Sequence, residues 1–473
     1  MSATLEINQL RVGMFIHLDL GWWAHPFAVS SFAIASAEQI ETIRGLGLKQ
    51  VRWSPEKSLL QGDAAVAAPS AASDASAGTL PAADGEADAA QAVAVEQPEF
   101  PAPLLPPLTN PVAEPPALSP HQAALAERRV ADALCLQQYS EAGAAWQQAC
   151  AQLQAEPAQA RKVTEGLSRS LLSKLMVDDE MCVRVLSEGA GEGADAHALN
   201  VAVISLLLGR VLGLAEAEMQ DLGVGALLHD VGKLQMPARV RFPDARFSAA
   251  EQAQYRDHVA LGVAQGKRMG LSTGALLVLA QHHEMVDGSG FPLQLKADRM
   301  VSAARIVSLV NRYDNLCNPP LLAQALTPHE ALSMIFSQSK SKFDAQLLNA
   351  FIRMMGVYPP GSYVQLSDDR YAAVLSVNSS RPLKPRVLVC DPRVPADQAL
   401  PLNLETQPGL GVRRSVKPAQ LPAVVQSYLS PRARVVYFFE PVAGSESLLV
   451  APGQAASSAP AAAPIRQAAE AIA

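Results

Sequence analysis

The sequence predicts a multidomain protein in which an all-α helical bundle forms the core, with a small α+β module before it and a small β-rich domain after it. Three observations support this fold class. The 473 residues exceed the size of one ordinary domain. Apolar residues recur with the helical period from near residue 121 to about residue 355. Shorter runs that alternate between apolar and polar residues lie on either side.

The N-terminal α+β module is predicted over residues 1–56. Two short alternating runs, 10–16 and 49–53, are typical of strands, and they flank an amphipathic stretch at 36–46 that begins with a serine able to cap a helix. From 57 to 120 the chain is dominated by Ala, Pro, Ser, Gly and Asp, which offer too little apolar surface to offset the entropy lost on ordering. We therefore expect a disordered linker there.

The remaining boundaries follow from breaks in the helical pattern. Gly-rich sequence at 189–194 separates a predicted helical connector at 121–188 from the main helical domain at 189–355. Short β-type runs with turn residues between them predict a small β-rich domain at 356–441, and the Ala-, Pro- and Ser-rich tail at 442–473 is expected to be disordered. The strands predicted in the β-rich domain are 363–366, 371–377 and 386–389.

Charge and composition exclude several classes of function. The formal net charge of −7 and the pI of about 5.8 leave no basic surface of the size that long nucleic acids require, although a local pocket for a small phosphate ligand is compatible with them. Five scattered cysteines without CxxC spacing favour free thiols over disulfides or a cysteine zinc site. Because no secretory signal and no apolar window of roughly eighteen residues is found, we expect a cytoplasmic protein without a membrane span.

Histidines and carboxylates accumulate within one segment of the helical region. The stretch 281–292 reads QHHEMVDGSGFP and contains two adjacent histidines and a Gly-rich turn. Upstream, His229 and Asp230 lie within an apolar run, and His258 lies between the two motifs. Neutral imidazoles and carboxylates are ligands that divalent transition metals prefer, so this set predicts a metal site.

The segment from His229 to Lys233 indicates phosphate ester chemistry. On a helix these two residues share a face with Asp230 close by, and Gly232 leaves room for a metal or a phosphate to approach the backbone. Asp230 would bridge two cations that acidify a water, and Lys233 would neutralise charge on the phosphate. His197, on a preceding helix, is a further candidate ligand.

A structural role is the alternative for each of these residues. A lone histidine or an isolated His-Asp pair is more often hydrogen-bonded in a core or at a surface than bound to a metal. The coincidence of several such motifs on a helical background makes that alternative much less favourable here. Ser289 stands between glycines, but no strand precedes it, so we interpret it as a turn residue rather than a nucleophile.

These residues resemble a known family. The run from His229 to Lys233, followed by HHEMVDGSGFP, is similar to the HD-GYP family, a branch of the HD phosphohydrolases, over roughly residues 190–355. The N-terminal module, with the segments 10–14 and 22–27, resembles an uncharacterised domain that often precedes HD-GYP domains in bacterial proteins. The resemblance implies an HD-type helical bundle that holds iron or manganese ions and hydrolyses the second messenger cyclic di-GMP to pGpG or GMP.

The resemblance also implies roles for individual residues. A metal-bound water would attack phosphorus in line and expel the ribose oxygen, with Asp230 and Lys233 as the catalytic residues. The implied metal ligands are His197, His229, Asp230, His258, His282, His283 and Asn311. The expected substrate contacts are Lys233, Asp287, Gly288, Gly290 and Arg312.

The chain departs from the family pattern at several positions. Asn311 stands where the family has a metal-binding Asp, and Asp314 matches the second acid of that motif. Gly193 occupies the position of a Glu found in three-metal members, which favours two divalent ions here. The segment 318–323 replaces an arginine-rich loop that grips phosphates, and Phe291 replaces a tyrosine and lacks its hydroxyl.

These departures leave three functions open. The first is a metal-dependent phosphodiesterase for cyclic di-GMP. The second is a catalytically degenerate HD-GYP module that binds cyclic di-GMP or a signalling protein. The third is a phosphohydrolase for another nucleotide or cyclic dinucleotide, which the GSGFP turn disfavours. Besides cyclic di-GMP, the expected partners are a diguanylate cyclase or another signalling protein, and a second copy of the chain in a homodimer.

Overall fold

A computed structural model describes residues 3–18, 31–58, 119–177, 181–186, 194–244, 246–378 and 381–441. The predicted tail at 442–473, the segment 22–27 and Gly193 lie outside these residues, as does the predicted linker at 57–120 apart from its first two and last two positions. The five cysteines are described, and all are free thiols. Along the described helices, none combines the length and the hydropathy needed to cross a membrane.

The N-terminal module contains an antiparallel four-stranded sheet and one helix. Its strands are β1 (Ala3–Glu6), β2 (Phe15–His17), β3 (Ser31–Ala33) and β4 (Gln50–Trp53). They pair in the order β1-β4-β2-β3. Helix α1 (Ala37–Gly45) begins after Ser36, whose hydroxyl accepts the Gln39 amide, and it buries Ile40 and Ile43 in the core of the module. The predicted helix and the strand that follows it are confirmed.

A run of helices forms the centre of the described chain. The helices are α2 (Pro120–Gln152), α3 (Pro157–Val177), α4 (Ala194–Val211), α5 (Glu216–Leu228), α6 (Ala249–Met269), α7 (Thr273–Gln281), α8 (Ser302–Cys317), α9 (Pro328–Gln338) and α10 (Ala345–Met355). Capping boxes at Ser119, Ser248 and Thr327 begin α2, α6 and α9. Helix α4 is apolar almost all round, and it lies at the centre against α5 and α8.

The segment 121–188, predicted as a helical connector, differs from that expectation. Its helices belong to the main core, since α3 packs against α5 and Trp146 Nε1 donates to the Leu227 carbonyl at 3.0 Å. It also contains a strand, β5 (Met181–Val185), in a region expected to be all-α. The run MCVRV is rich in strand-forming residues, but its partner strands lie far along the chain, where local periodicity does not reveal them.

The C-terminal region forms a seven-stranded antiparallel sheet that includes β5. Its other strands are β6 (Tyr363–Leu366), β7 (Tyr371–Ser376), β8 (Arg386–Val389), β9 (Leu402–Asn403), β10 (Val412–Val416) and β11 (Tyr437–Pro441). The order is β10-β6-β7-β5-β11, with β8 pairing to β7 and β9, and a short helix α11 (Ala423–Leu429) precedes the last strand. The three strands predicted here are confirmed. Strand β11 also packs against α4, so the sheet is joined to the helical core.

Candidate metal centre

Helices α4, α5, α6 and α7 bring the predicted histidines to one point in the core. His197 lies in the first turn of α4, and His258 lies within α6. His229 and His282 are the residues at which α5 and α7 end. Because the backbone leaves the helix at these two ends, the next residue in each case, Asp230 or His283, also reaches the site.

His197, His229 and Asp230 form one side of the site. The Nε2 atoms of the two histidines are 3.2 Å apart, and they lie 3.6 and 3.5 Å from Asp230 Oδ2, respectively. Atoms that share one ion at about 2.0–2.2 Å from each must lie roughly this far from one another. The three atoms are therefore spaced to bind a single divalent metal.

The other oxygen of Asp230 faces a second group of histidines. His258 Nε2 and His282 Nε2 are 3.3 Å apart, and they lie 3.6 and 3.7 Å from Asp230 Oδ1. His283 belongs to the same cluster, whose ligand atoms all lie within 4.8 Å of one another. One carboxylate thus separates two triangles of ligand atoms, an arrangement that can hold two ions.

Hydrogen bonds behind the rings aim Nε2 into the site. The Nδ1 atoms of His229, His258 and His282 lie 2.7, 2.6 and 2.8 Å from the backbone carbonyl oxygen three residues earlier. A carbonyl can only accept, so Nδ1 carries the proton and Nε2 keeps a free lone pair. His197 is oriented differently, since its Nδ1 lies 2.6 Å from Asp314 Oδ2.

Burial and neighbouring charges shift the pKa values of these candidate ligands. It lowers the pKa of His258 to about 3, and it also lowers the pKa of His229 and of His283. Burial alone would raise the pKa of Asp230, but the nearby charge of Lys233 and the contact with His229 hold that pKa well below its usual value. Neutral imidazoles and an ionised carboxylate are the forms that bind metals.

Two atoms at the centre of the site have no hydrogen-bond partner in the described part of the chain. They are Asp230 Oδ1 and His283 Nε2, and both are buried. An unpaired buried polar atom costs about 1–3 kcal/mol, and more when it is charged. Both atoms lie in the second ligand cluster, so divalent ions would satisfy them and the residues present fit such ions.

Lys233 reaches the site from a different backbone conformation than the sequence suggested. Helix α5 ends before His229, and Lys233 lies in a short 3-10 helix, Val231–Gln235. Its Nζ lies 2.6 Å from Asp230 Oδ2 and 5.5 Å from the centre of the Tyr255 ring. Burial tends to lower the pKa of Lys233, but the Asp230 carboxylate outweighs this effect and raises it, so the ammonium stays charged.

Gly232 makes room for a helix rather than for a ligand. A Cβ at this position would lie 2.0 Å from the His258 carbonyl oxygen and 2.6 Å from Gly262 N, both in α6. The expectation that a metal or phosphate approaches the backbone here is therefore wrong, because the backbone of α6 occupies that space. The close contact is what brings His258 to Asp230.

A buried carboxylate holds the Gly-rich turn after the adjacent histidines. Glu284 is fully buried, and its two oxygens accept the backbone amides of Leu293 and Leu295 at 2.6 and 2.9 Å. Gly290 packs against the start of the turn, where a Cβ would lie 2.5 Å from the His283 carbonyl oxygen. Glu284 and Gly290 therefore fix the shape of the turn next to the site.

The other predicted substrate contacts of this turn have local structural partners. Asp287 is exposed, and its Oδ1 accepts the amide and the hydroxyl of Ser289 at 2.9 and 2.6 Å, which confirms Ser289 as a turn residue. Gly288 has a φ of 80°, which favours glycine. The Phe291 ring stacks on His283 with centroids 4.5 Å apart. Substrate contact by Asp287, Gly288 and Gly290 stays a prediction.

Helix α8 contributes an acid that lies behind His197, one of the predicted ligands. Asp314 is fully buried and is hydrogen-bonded to His197, as described above. The carboxamide oxygen of Asn311 accepts from Asn315 Nδ2, and its assignment as a ligand stays a prediction. Arg312 is exposed, and none of the described residues forms a hydrogen bond or ion pair with it.

Sequence analysis missed two asparagines that also hold Asp314. Asn200 Nδ2 and Asn318 Nδ2 donate to Asp314 Oδ1 at 2.7 and 2.9 Å. The spacing of His197 and Asn200, three apart on one helix, was a usable signal, because such residues share a face. No comparable local signal marks Asn318, whose role depends on tertiary contacts.

Comparisons with known proteins agree with this geometry. Residues 171–347 match the model of the HD domain, and residues 2–164 match that of a domain of unknown function, DUF3391. A cyclic di-GMP phosphodiesterase of Pseudomonas aeruginosa is 26% identical over 82% of this chain and 85% of its own length. The cyclic di-GMP phosphodiesterase response regulator RpfG of Xanthomonas campestris pv. campestris is 29% identical over 34% of this chain and 43% of its own length.

A solved structure of an HDGYP protein from Bdellovibrio bacteriovorus covers 74% of this chain and 98% of its own, with a TM-score of 0.36 and 12% identity. The fold and the HD-domain match define the class as a helical HD-domain protein, and its His-Asp cluster could hold metal ions. The expected resemblance to the HD-GYP family is confirmed by the HD-domain match and by relatives named cyclic di-GMP phosphodiesterases, and the N-terminal part of the chain matches DUF3391.

Proposed function

We propose that this protein is a metal-dependent phosphodiesterase that hydrolyses cyclic di-GMP to pGpG, to GMP or to both. The resemblance to the HD-GYP family supports phosphodiester hydrolysis, and the two relatives described above are named cyclic di-GMP phosphodiesterases. The observation that carries the proposal is the position of Asp230, whose two oxygens face separate triangles of ligand atoms. A site of this form suits attack by water on a phosphate ester.

Two divalent ions, iron or manganese, are the proposed cofactors. When bound, they supply an acidified water and offset negative charge on the phosphate. The ligands would be His197, His229, Asp230, His258, His282 and His283, with Asn311 as a further candidate. Backbone carbonyls fix the rings of His229, His258 and His282, and Asp314 fixes that of His197, so these four nitrogens are already aimed at the site.

Lys233 is the residue best placed to act on the charge of the substrate. Its ammonium is mostly buried beside Asp230, so it lies where negative charge would build up on the phosphoryl oxygens. Arg312 offers a second cation, exposed and unpaired with any described residue, and we assign it to attract the substrate phosphates. The turn with Asp287, Gly288 and Gly290 would contact the substrate from the side of His283.

A second candidate function is a module that binds cyclic di-GMP or a signalling protein without hydrolysis. Two observations favour it. The carboxamide oxygen of Asn311 already accepts a hydrogen bond from Asn315. The segment 318–323, in place of an arginine-rich loop, is anchored to the C-terminal region, because Asn318 bonds both the amide and the carbonyl of Val435.

Anaerobic purification with iron or manganese, followed by chromatography of cyclic di-GMP and its products, tests the first candidate against the second. The inactive variant combines His229→Ala with Asp230→Ala. The matched control is His329→Ala, which removes a histidine outside the site whose Nδ1 bonds the Val357 carbonyl at 2.8 Å. Product made by the wild type and the control, but not by the double variant, is the expected result. A folded, metal-loaded wild type that binds cyclic di-GMP without turnover would favour the second candidate.

A further inference from the structure

A hydrogen-bond network joins the C-terminal strand β11 to the outer side of the metal centre. Asn200 of α4 and Asn318 at the end of α8 build it in the same way. Each amide nitrogen donates to Asp314 Oδ1, and each also donates to the Val435 carbonyl at 2.9 Å. The amide oxygens accept backbone N–H groups, from Tyr437 to Asn200 at 2.9 Å and from Val435 to Asn318 at 2.8 Å.

Asp314 transmits this connection to a predicted ligand. One of its oxygens accepts from the two asparagines, and the other lies 2.6 Å from His197 Nδ1. No described lysine or arginine pairs with this fully buried side chain, so His197 and the two asparagines supply its hydrogen bonds. A carboxylate behind a histidine fixes the tautomer that leaves Nε2 free, and it makes that nitrogen a better ligand.

The two sides of the metal site differ in what orients them. His258 and His282 bond carbonyls of their own helices, and so does His229. Among the four histidines of the site whose Nδ1 bonds are described above, only His197 depends on a residue of another element. Strand β11, which begins two residues after Val435, is in turn held by pairing with β5, so the sheet anchors the segment that bonds the two asparagines.

We propose that Asn200, Asn318 and strand β11 are positioning elements for His197, and that the C-terminal sheet thereby sets how tightly the His197 side holds its ion. The inference rests on the proposed metal site and gives the C-terminal region a defined role in it. The side of the site formed by His258 and His282 is independent of this support.

Manganese titration of four full-length variants tests the proposal. Asn200→Ala, Asn318→Ala and Asp314→Asn each disturb the network. The matched control is Tyr313→Phe, because the Tyr313 hydroxyl links the same helix to the same strand, 3.0 Å from the Tyr437 hydroxyl, without touching Asp314. The number of bound ions, their affinities and the thermal unfolding of the metal-free protein are measured for each variant.

The network variants should bind one of two ions about 10- to 100-fold more weakly and the other as in the wild type. The Tyr313→Phe variant should bind both ions normally, whatever its unfolding temperature. Unchanged affinities in the network variants would overturn the proposal. The proposal would also be overturned if the affinities for both ions fell equally in the network variants and in Tyr313→Phe, in proportion to the loss of stability.

Hydrogen exchange in the wild type gives a measurement that does not depend on how the variants fold. Coupling between sites is reciprocal, so manganese should slow exchange of the Val435 and Tyr437 amides more than that of amides further along β11. Uniform protection along the strand would contradict the proposal. A wild type without bound metal would overturn this inference together with the proposed function, whereas two bound ions without hydrolysis would count only against the function.

Discussion

Replacing Gly232 with alanine should weaken the metal site by pushing α6 away from it. The new Cβ would lie 2.0 Å from the His258 carbonyl oxygen and 2.6 Å from Gly262 N. The closest ordinary separation between a carbon atom and a carbonyl oxygen is about 3.3 Å. Both obstructing atoms belong to the backbone and cannot rotate away, so α6 itself must move by about 1 Å. Overpacking of this kind costs about 1–3 kcal/mol of unfolding free energy, and contact with backbone places Gly232→Ala at the upper end.

The same displacement of α6 should also weaken metal binding at the site. Metal–ligand distances tolerate about 0.2 Å, so a shift of His258 by several times that amount takes it out of reach of an ion shared with Asp230. Gly262→Ala is the matched control, since it adds the same methyl group from the opposite side and meets its nearest neighbour, Gly232 N, at 3.5 Å.

Urea unfolding of the metal-free protein and manganese titration measure the two effects. The control should be neutral or more stable by up to about 1 kcal/mol, because alanine favours a helix over glycine. If Gly232→Ala matches the wild type in both stability and metal binding, the reasoning from this contact is refuted.

Three further predictions follow from individual contacts. Glu284→Gln leaves one of the two backbone amides that bond the buried carboxylate without its acceptor, and it should lower the free energy of unfolding in urea by about 1–3 kcal/mol. Asp287→Asn, in an exposed turn, should change this free energy by less than about 0.5 kcal/mol. The pKa of His258 is about 3 in the folded protein and about 6.5 in the unfolded chain. Between these pH values the unfolded chain therefore binds a proton at His258 that the folded protein does not bind. The free energy of unfolding of the metal-free protein should therefore fall as pH drops from about 6.5 towards 3. A His258→Gln variant whose free energy of unfolding depends on pH as steeply as that of the wild type would contradict this. Asn311→Asp introduces a carboxylate to which Asn315 can still donate a hydrogen bond. The variant should bind manganese about tenfold more tightly or better, and it should turn over substrate faster. If neither manganese affinity nor turnover changes, this position does not contact the metal.

Local sequence was sufficient for elements whose partners lie close along the chain. The strands at 363–366, 371–377 and 386–389 pair with their sequence neighbours, and alternation alone placed them. Strand β5 was missed because it pairs with β11, about 250 residues later. Strand pairing at that distance depends on the whole helical core, which no short window contains.

The candidate site shows the same division between local and distant information. The histidines and Asp230 were found because each motif is itself unusual, and the structure brings them together. Gly232 was assigned to the wrong neighbour, since sequence shows that a small residue is needed but not which backbone approaches it. Asn318 acts through Val435, a contact between segments that no spacing rule connects.

Electron paramagnetic resonance of the manganese-loaded protein tests the central claim most directly, because it counts the ions and reports whether one carboxylate links them. The position of Asp230 between two ligand triangles predicts two manganese ions per chain with an exchange-coupled signal, and loss of that coupling in Asp230→Asn. A single ion per chain, or two ions without coupling in the wild type, would contradict the account.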